Sequence, residues 1–257
     1  MTRRPPILFI HGTAGKPAHF AAWALHFEGL GHRCLVPALP GHDPDDPAAL
    51  DRLTFADFTK AMEEALKALG EPAVVIGYSI GGVIGQVLAA SMPVAGLVLV
   101  ASPPARPYLP GSALAASGLP YAWRVLRGRA FRPSERTLRA LLVHDLAPAE
   151  QDETVGDFGH EAGRAIRALA LGEVRVAAAQ IACPVMLVHG ARDRVVPLVT
   201  ATGLARRLKA EFLLVPGRGH WLLAESLAGT IVPHVADWIG RGGAAKPVSS
   251  HRPGAEL

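Results

Sequence analysis

Short, largely apolar runs alternate along this chain with longer stretches whose apolar positions recur every three or four residues. The runs fall at 7–10, 33–36, 73–76, 94–102, 184–190 and 211–217. Brief apolar segments rich in branched residues read as buried strands. The periodic stretches between them, 17–30, 55–69, 80–90, 198–209 and a last one ending at 239, predict helices. The clearest is 55–69, with Phe55, Phe58, Met62, Leu66 and Leu69 on one face. Thr54 and Asp57 stand where a capping box would open it, with Asp in place of the usual Glu. This alternation predicts an α/β fold with a parallel sheet and helices on both faces.

One region breaks the rhythm. Residues 103–180 are helix-like without a clear strand and begin with Pro103, Pro104, Pro107 and Pro110. That is too long for a connection between neighbouring elements, so it is expected to form a helical cap over the sheet edge. The core is then 1–102 together with 181–240. The Gly/Pro/Ser-rich stretch 241–257 is expected to be a disordered tail. Apolar cap positions such as Leu119, Tyr121, Trp123, Leu126 and Phe131 are expected to turn toward a pocket, which favours a substrate with an apolar part.

Composition narrows the picture. Half of the 257 residues are apolar and 19% are charged, an ordinary globular balance. No apolar run approaches the roughly 18 residues that span a bilayer. The opening "MTRRPPILFIHG" reads as a first strand and not as a signal peptide. Cys34 and Cys183 sit at the edges of strand-like segments, where buried free thiols are expected, consistent with a reducing cytoplasm. The net charge of +4 has its clearest local source in Arg124, Arg127, Arg129, Arg132, Arg136 and Arg139. Acidic residues from Asp145 to Glu161 answer it. No nucleic-acid-binding pattern accompanies these arginines, so they read as a solvated helix face.

The candidate chemistry centres on "VVIGYSIGGVIGQ", residues 75–87. A strand entering a helix within two residues needs a sharp turn, and Gly77 and Gly81 leave room for it. The G-x-S-x-G pattern holds the Ser79 hydroxyl above the end of a sheet. Neither a phosphate loop nor a dinucleotide-binding glycine pattern fits here. Asp193 follows one later strand and His220 follows the next, both at carboxyl ends, where ligands bind in open α/β sheets. A serine hydroxyl needs an adjacent base, which an imidazole supplies near neutral pH. A carboxylate can hold that imidazole in the useful tautomer. His11, His42 and His189 read as structural. His160-Glu161 matches half of a zinc motif, but Arg164 stands where the second histidine belongs. Trp23 and Trp221 either line the pocket or pack.

The segments "FIHGTAG", "PGHD", "GYSIGG", "HGARDRVVP" and "GRGHW" together resemble the α/β-hydrolase superfamily over 5–240, in its branch of small capped esterases. The resemblance implies the α/β-hydrolase fold: a mostly parallel, six-stranded-type sheet with helices on both faces and a helical cap insertion. It implies Ser79 as nucleophile, His220 as general base then acid, and Asp193 as the residue orienting His220. It also implies an oxyanion hole of the Thr13 and Ile80 backbone N–H groups, with no cofactor and no metal. The antiparallel strands that open the larger family sheet are expected to be lacking, because the strand at 7–10 leads directly into His11-Gly12. Serine at the elbow argues against epoxide hydrolases and haloalkane dehalogenases, and Trp221 after the histidine against cyanohydrin lyases. Cleavage of an ester, lactone or thioester is the expected reaction. Carbon–carbon bond hydrolysis, acyl transfer and a non-catalytic ligand receptor remain open at this point. The expected partner is a small ester-type molecule, with neither nucleic acid nor membrane.

Overall fold

The computed structural model describes residues 4–108 and 110–243. Its six strands are β1 (Ile7–Ile10), β2 (Cys34–Leu35), β3 (Val74–Tyr78), β4 (Gly96–Val100), β5 (Val185–Gly190) and β6 (Glu211–Val215). They form one sheet in the order β2-β1-β3-β4-β5-β6, and every pairing is parallel. The helices in chain order are α1 (Ala21–Gly29), α2 (Pro47–Leu50), α3 (Phe55–Ala68), α4 (Ile80–Ser91), α5 (Ser112–Leu126), α6 (Glu135–Leu141), α7 (Pro148–Gly156), α8 (Gly163–Ala170), α9 (Leu198–Leu208) and α10 (Glu225–Gly240).

The strand sequences explain why both faces are covered. Side chains alternate between faces along a strand. Ile7, Phe9, Val74, Ile76, Val98 and Val100 therefore point one way, into a core closed by Phe20, Trp23 and Phe27 near α1 and by Ile231, Val235 and Trp238 of α10. Leu8, Ile10, Val75, Leu97 and Leu99 point the other way, against Phe58, Met62 and Leu66 of α3 and Val83, Ile84 and Leu88 of α4. A strand buried on both faces is apolar wherever no partner satisfies a polar group; β1, β3, β4 and β5 are buried throughout, with His189 of β5 as the hydrogen-bonded polar exception.

The helix at Phe55 starts at the expected capping box. Thr54 Oγ1 accepts from the Asp57 N–H at 3.3 Å and Asp57 Oδ2 accepts from the Thr54 N–H at 2.8 Å. The edge strand β2 is shorter than predicted, because only Cys34 and Leu35 pair with β1. β3 runs two residues further than its apolar run suggested, since Gly77 and Tyr78 still pair with Leu99 and Val100. The two cysteines are free but only half-buried, a correction to the expected burial.

Between β4 and β5 the described residues hold α5 to α8, a 3-10 turn at Ala178–Gln180 and one isolated bridge between Phe131 and Glu161. This stretch opens on a buried anchor. Gln86 of α4, fully buried, donates to the Pro103 carbonyl at 2.9 Å and accepts from the Ala105 N–H at 2.9 Å. One expectation for the stretch fails. No residue of α5 is buried, and Leu119, Trp123 and Leu126 are 72%, 64% and 60% exposed. The reason is that α5 packs chiefly on α8 and α6 of its own segment and not on the sheet. Phe131 is buried, with the Tyr121 ring 5.2 Å from it. At the other end Arg241 pairs with Glu211 and Asp237. The remainder of the expected tail, 244–257, lies outside the described residues.

Candidate active site

Ser79 sits between β3 and α4 with φ 52° and ψ −120°. A non-glycine residue holds this left-handed conformation only where its surroundings enforce it. Here the enforcement is steric. A Cβ at Gly77 would run into the Gly81 backbone, and one at Gly81 would run into the carbonyls of Ile10 and His11. Helix and strand therefore approach closely only with glycine at both positions. The Ser79 N–H donates to the Val100 carbonyl at 2.9 Å, fixing the turn to the neighbouring strand.

The turns after β5 and β6 bring the other two predicted residues to the same place. His220 Nε2 lies 3.1 Å from Ser79 Oγ, and His220 Nδ1 lies 2.8 Å from Asp193 Oδ2. Asp193 Oδ1 accepts from the N–H groups of Val195 and Val196 at 2.7 and 2.9 Å. The side chains of Asp193 and His220 are almost wholly shielded from solvent. Burial alone would raise the Asp193 carboxyl. The neighbouring His220, through its charge and hydrogen bond, together with His189 and the Val196 N–H, outweighs burial and holds it below the ordinary carboxylate range. Asp193 therefore stays ionised beside the imidazole, fixed in one orientation by two amides.

The loop after β1 lies directly over this group. A Cβ on Gly12 would fall 2.6 Å from the Tyr78 ring and 3.2 Å from Ser79 Cβ, so Gly12-Thr13 runs against the serine. Ile80 opens α4, where backbone N–H groups lack intrahelical partners. Both predicted oxyanion donors thus belong to segments that flank Ser79.

The histidines read as structural do hold turns. His11 Nε2 accepts from the Leu39 N–H at 3.0 Å, and its Nδ1 faces the Gly12 carbonyl at 3.0 Å. Burial, with His42 nearby, lowers its pKa to about 3, so the ring is neutral and its tautomer set. His189 lies 3.0 Å from the Val196 carbonyl and 3.7 Å from Asp193. Trp23 packs in the core, fully buried, against Phe20. Trp221 belongs to the site instead. It forms an aromatic group with Tyr78, His19 and Phe158, at centroid distances of 5.4, 4.9 and 5.3 Å. His19 is buried there, and this burial lowers its pKa to about 4.

The arginines of 124–139 are less free than a solvated face suggests. Arg129 pairs with Asp51, Arg139 pairs with Asp152, and Arg132 donates to the Phe158 carbonyl. Arg136, Arg139 and Arg194 also wall an open cleft of about 600 Å³ with His144. No member of the Ser79 group lines that cleft. Two residues carried no functional signal in the sequence. Asp145, its side chain 2% exposed, lies against Gly219, and Glu161 is fully buried. Glu161 was legible only as a failed half of a zinc motif. Among the described residues no cluster of His, Cys, Asp and Glu is arranged to hold a metal ion, and no helix is long and apolar enough to cross a membrane.

A six-stranded parallel sheet with a strained serine at its carboxyl edge, hydrogen-bonded to a histidine and through it to an aspartate, defines a class. The chain belongs to the alpha/beta hydrolase family, whose family model matches residues 7–244. It is 31% identical over 224 residues to a pimeloyl-[acyl-carrier protein] methyl ester esterase of Aromatoleum aromaticum, covering 80% of this chain and 86% of that one. It is 27% identical over 250 residues to a magnesium-chelatase 30 kDa subunit of Rhodobacter capsulatus, covering 91% and 87%. Among solved structures, an N-acyl homoserine lactonase superposes with a TM-score of 0.70 at 24% identity, over 95% of this chain and 91% of the other.

Proposed function

We propose that this protein is a serine hydrolase that cleaves a carboxylic ester through an acyl-enzyme intermediate. The observation that carries the reading is the continuous hydrogen-bonded path from Ser79 Oγ through His220 to Asp193, at 3.1 and 2.8 Å. His220 Nε2 takes the Ser79 proton as Oγ attacks the ester carbonyl carbon. The carbonyl oxygen becomes an oxyanion, met by the N–H groups of Ile80 and Thr13, each such donor being worth about 3 kcal/mol. Collapse breaks the bond to the alkoxy oxygen, and His220 returns the proton to the departing alcohol. Water then enters, loses its proton to His220 and attacks the acyl carbon. The second collapse frees the acid and restores Ser79. Asp193 accepts the Nδ1–H of His220 throughout and stabilises the imidazolium of each step.

Residues 103–180 act as a cap over the carboxyl edge of the core formed by 1–102 and 181–240. Phe158 of this segment joins Trp221 and Tyr78 beside His220, which supports a small substrate with an apolar acyl or alkyl part. The free thiols of Cys34 and Cys183 fit a reducing, cytoplasmic setting. The test is turnover of a series of p-nitrophenyl esters of graded acyl length. Steady hydrolysis by the parent, lost in Ser79→Ala, is expected. A folded Ser79→Ala protein that hydrolyses them at the parent rate contradicts the reading.

A further inference from the structure

We infer that Glu161, contributed by the helical segment between β4 and β5, is a positioning residue that clamps the oxyanion-hole loop and so holds the Thr13 N–H in place. The inference rests on the ester-hydrolase reading above and extends it to a residue outside the sheet.

The loop residue after Thr13 is Ala14, at φ 54°. Such a conformation in a residue with a Cβ persists only where its surroundings hold it. Both peptide groups of Ala14 are held from one place. Its N–H donates to Glu161 Oε2 at 2.9 Å, and its carbonyl accepts from the Gly159 N–H at 2.9 Å. The peptide groups on either side of Ala14, the first of which carries the Thr13 carbonyl, thereby depend on a strand-like strap about 145 residues away in sequence, and the Thr13 N–H lies one peptide upstream of this hold.

Glu161 is itself over-determined. Its N–H and carbonyl bond to Phe131 at 2.8 and 3.0 Å. Its Oε1 accepts from the Ala162 N–H at 2.7 Å and lies 3.4 Å from His42 Nε2. His42 in turn stacks edge-on against His11, whose Nε2 fixes the Leu39 N–H. Burial would lower the His42 pKa, but the Glu161 carboxylate and the carbonyls of Pro40 and Leu39 raise it. The neighbouring His160 ties the strap to Asp45 at 2.8 Å.

The choice of residue matters. A fully buried carboxylate carries a large desolvation cost, and an apolar side chain of similar volume fills space at least as well. What a carboxylate adds is two oxygens that accept from two backbone N–H groups at once. One of these belongs to the loop beside Ser79. The inference also predicts that replacing 105–178 with a short linker removes activity even toward small esters, because the loop loses its hold.

The experiment compares the parent with Glu161→Ala, Glu161→Gln and, as a control, Asp51→Asn. The control removes the charge and one acceptor oxygen from a different tie of the same segment, at Arg129 and the Ala130 N–H. With p-nitrophenyl acetate, Glu161→Ala is expected to lower kcat about 10–100-fold, part of the effect of losing a whole oxyanion donor, with KM within twofold. Inhibition by a trifluoromethyl ketone, whose Ser79 adduct places an oxyanion in the same hole, should weaken by the same factor as kcat/KM. Glu161→Gln keeps one acceptor oxygen and should lose less. Asp51→Asn should lower stability while leaving kcat within twofold. The inference is overturned by unchanged kcat in the Glu161 variants, by a rise in KM alone, or by an equal loss in Asp51→Asn. A measurement on the parent decides the matter even if the variants do not fold. The Ala14 amide proton should resonate at low field and exchange slowly, and exchange at the rate of an open loop contradicts the clamp. Absence of esterase turnover in a parent that shows a protected Ala14 amide would instead count against the ester-hydrolase reading.

Discussion

Two loops meet at the carboxyl edge of this sheet, and they are held there in opposite ways. The Ser79 turn is set by its own sequence, because Gly77 and Gly81 allow the close approach of β3, α4 and β1 at the turn that carries the serine. The loop at Gly12–Gly15 borrows its geometry from residues 159–161, which lie in the segment between β4 and β5 and grip Ala14. In the proposed mechanism, a nucleophile built on local sterics tolerates change elsewhere in the chain, whereas an oxyanion hole held by a remote carboxylate ties catalysis to the proposed cap.

The largest effect that probes this contrast is expected at Asp193. Asp193→Asn keeps the shape but presents an amide to His220 and disturbs its tautomer, so kcat should fall about 10⁴-fold with little change in KM. Steady-state kinetics on p-nitrophenyl acetate checks it, and a loss below tenfold would remove Asp193 from the proposed triad. Gly81→Ala should come next. Its Cβ would meet backbone carbonyls of β1 that cannot step aside, so a loss of about 3 kcal/mol or more in stability is expected. Denaturant melts measure it, and a parent-like midpoint would show that the turn is not sterically set.

A smaller effect separates the aromatic group around Trp221 from the rest. The His19 pKa, lowered by burial to about 4, lies below its unfolded value near 6.5. Between those values the unfolded chain takes up a proton that the folded protein refuses, so stability falls as pH falls from about 6.5 toward 4. The slope contributed by His19 is at most about 1.4 kcal/mol per pH unit. It should shrink in His19→Gln, and an unchanged slope in that variant would contradict the assignment. The smallest effect is expected at Asp45, whose tie to His160 is partly exposed. Asp45→Asn should cost under about 1 kcal/mol, and a larger loss in melts would make the strap depend on its outer tie.

The contrast also explains what was legible in the sequence. β1, β3, β4 and β5 had to be apolar on both faces, so period and composition located them. Ser79, Asp193 and His220 each follow a strand closely, so their order along the chain foretold the meeting. β2 was overextended because an edge strand of two paired residues leaves little periodic signal. The outward side of α5 was misread because apolar spacing shows that a helix has an apolar face, and not which neighbour meets it. Leu119, Trp123 and Leu126 accordingly stand exposed. Glu161 was unreadable for a different reason. Its partners Ala14 and His42 lie more than 115 residues away, and no local pattern encodes such a contact.

The central claim is that Ser79 is the nucleophile, activated by His220, and a fluorophosphonate tests it most directly. The intact parent should gain one phosphonyl group, the probe mass less HF, with the label mapping to the peptide that contains Ser79, and His220→Ala should slow the labelling by orders of magnitude. A label on any other residue, or undiminished labelling of Ser79→Ala, would contradict the account.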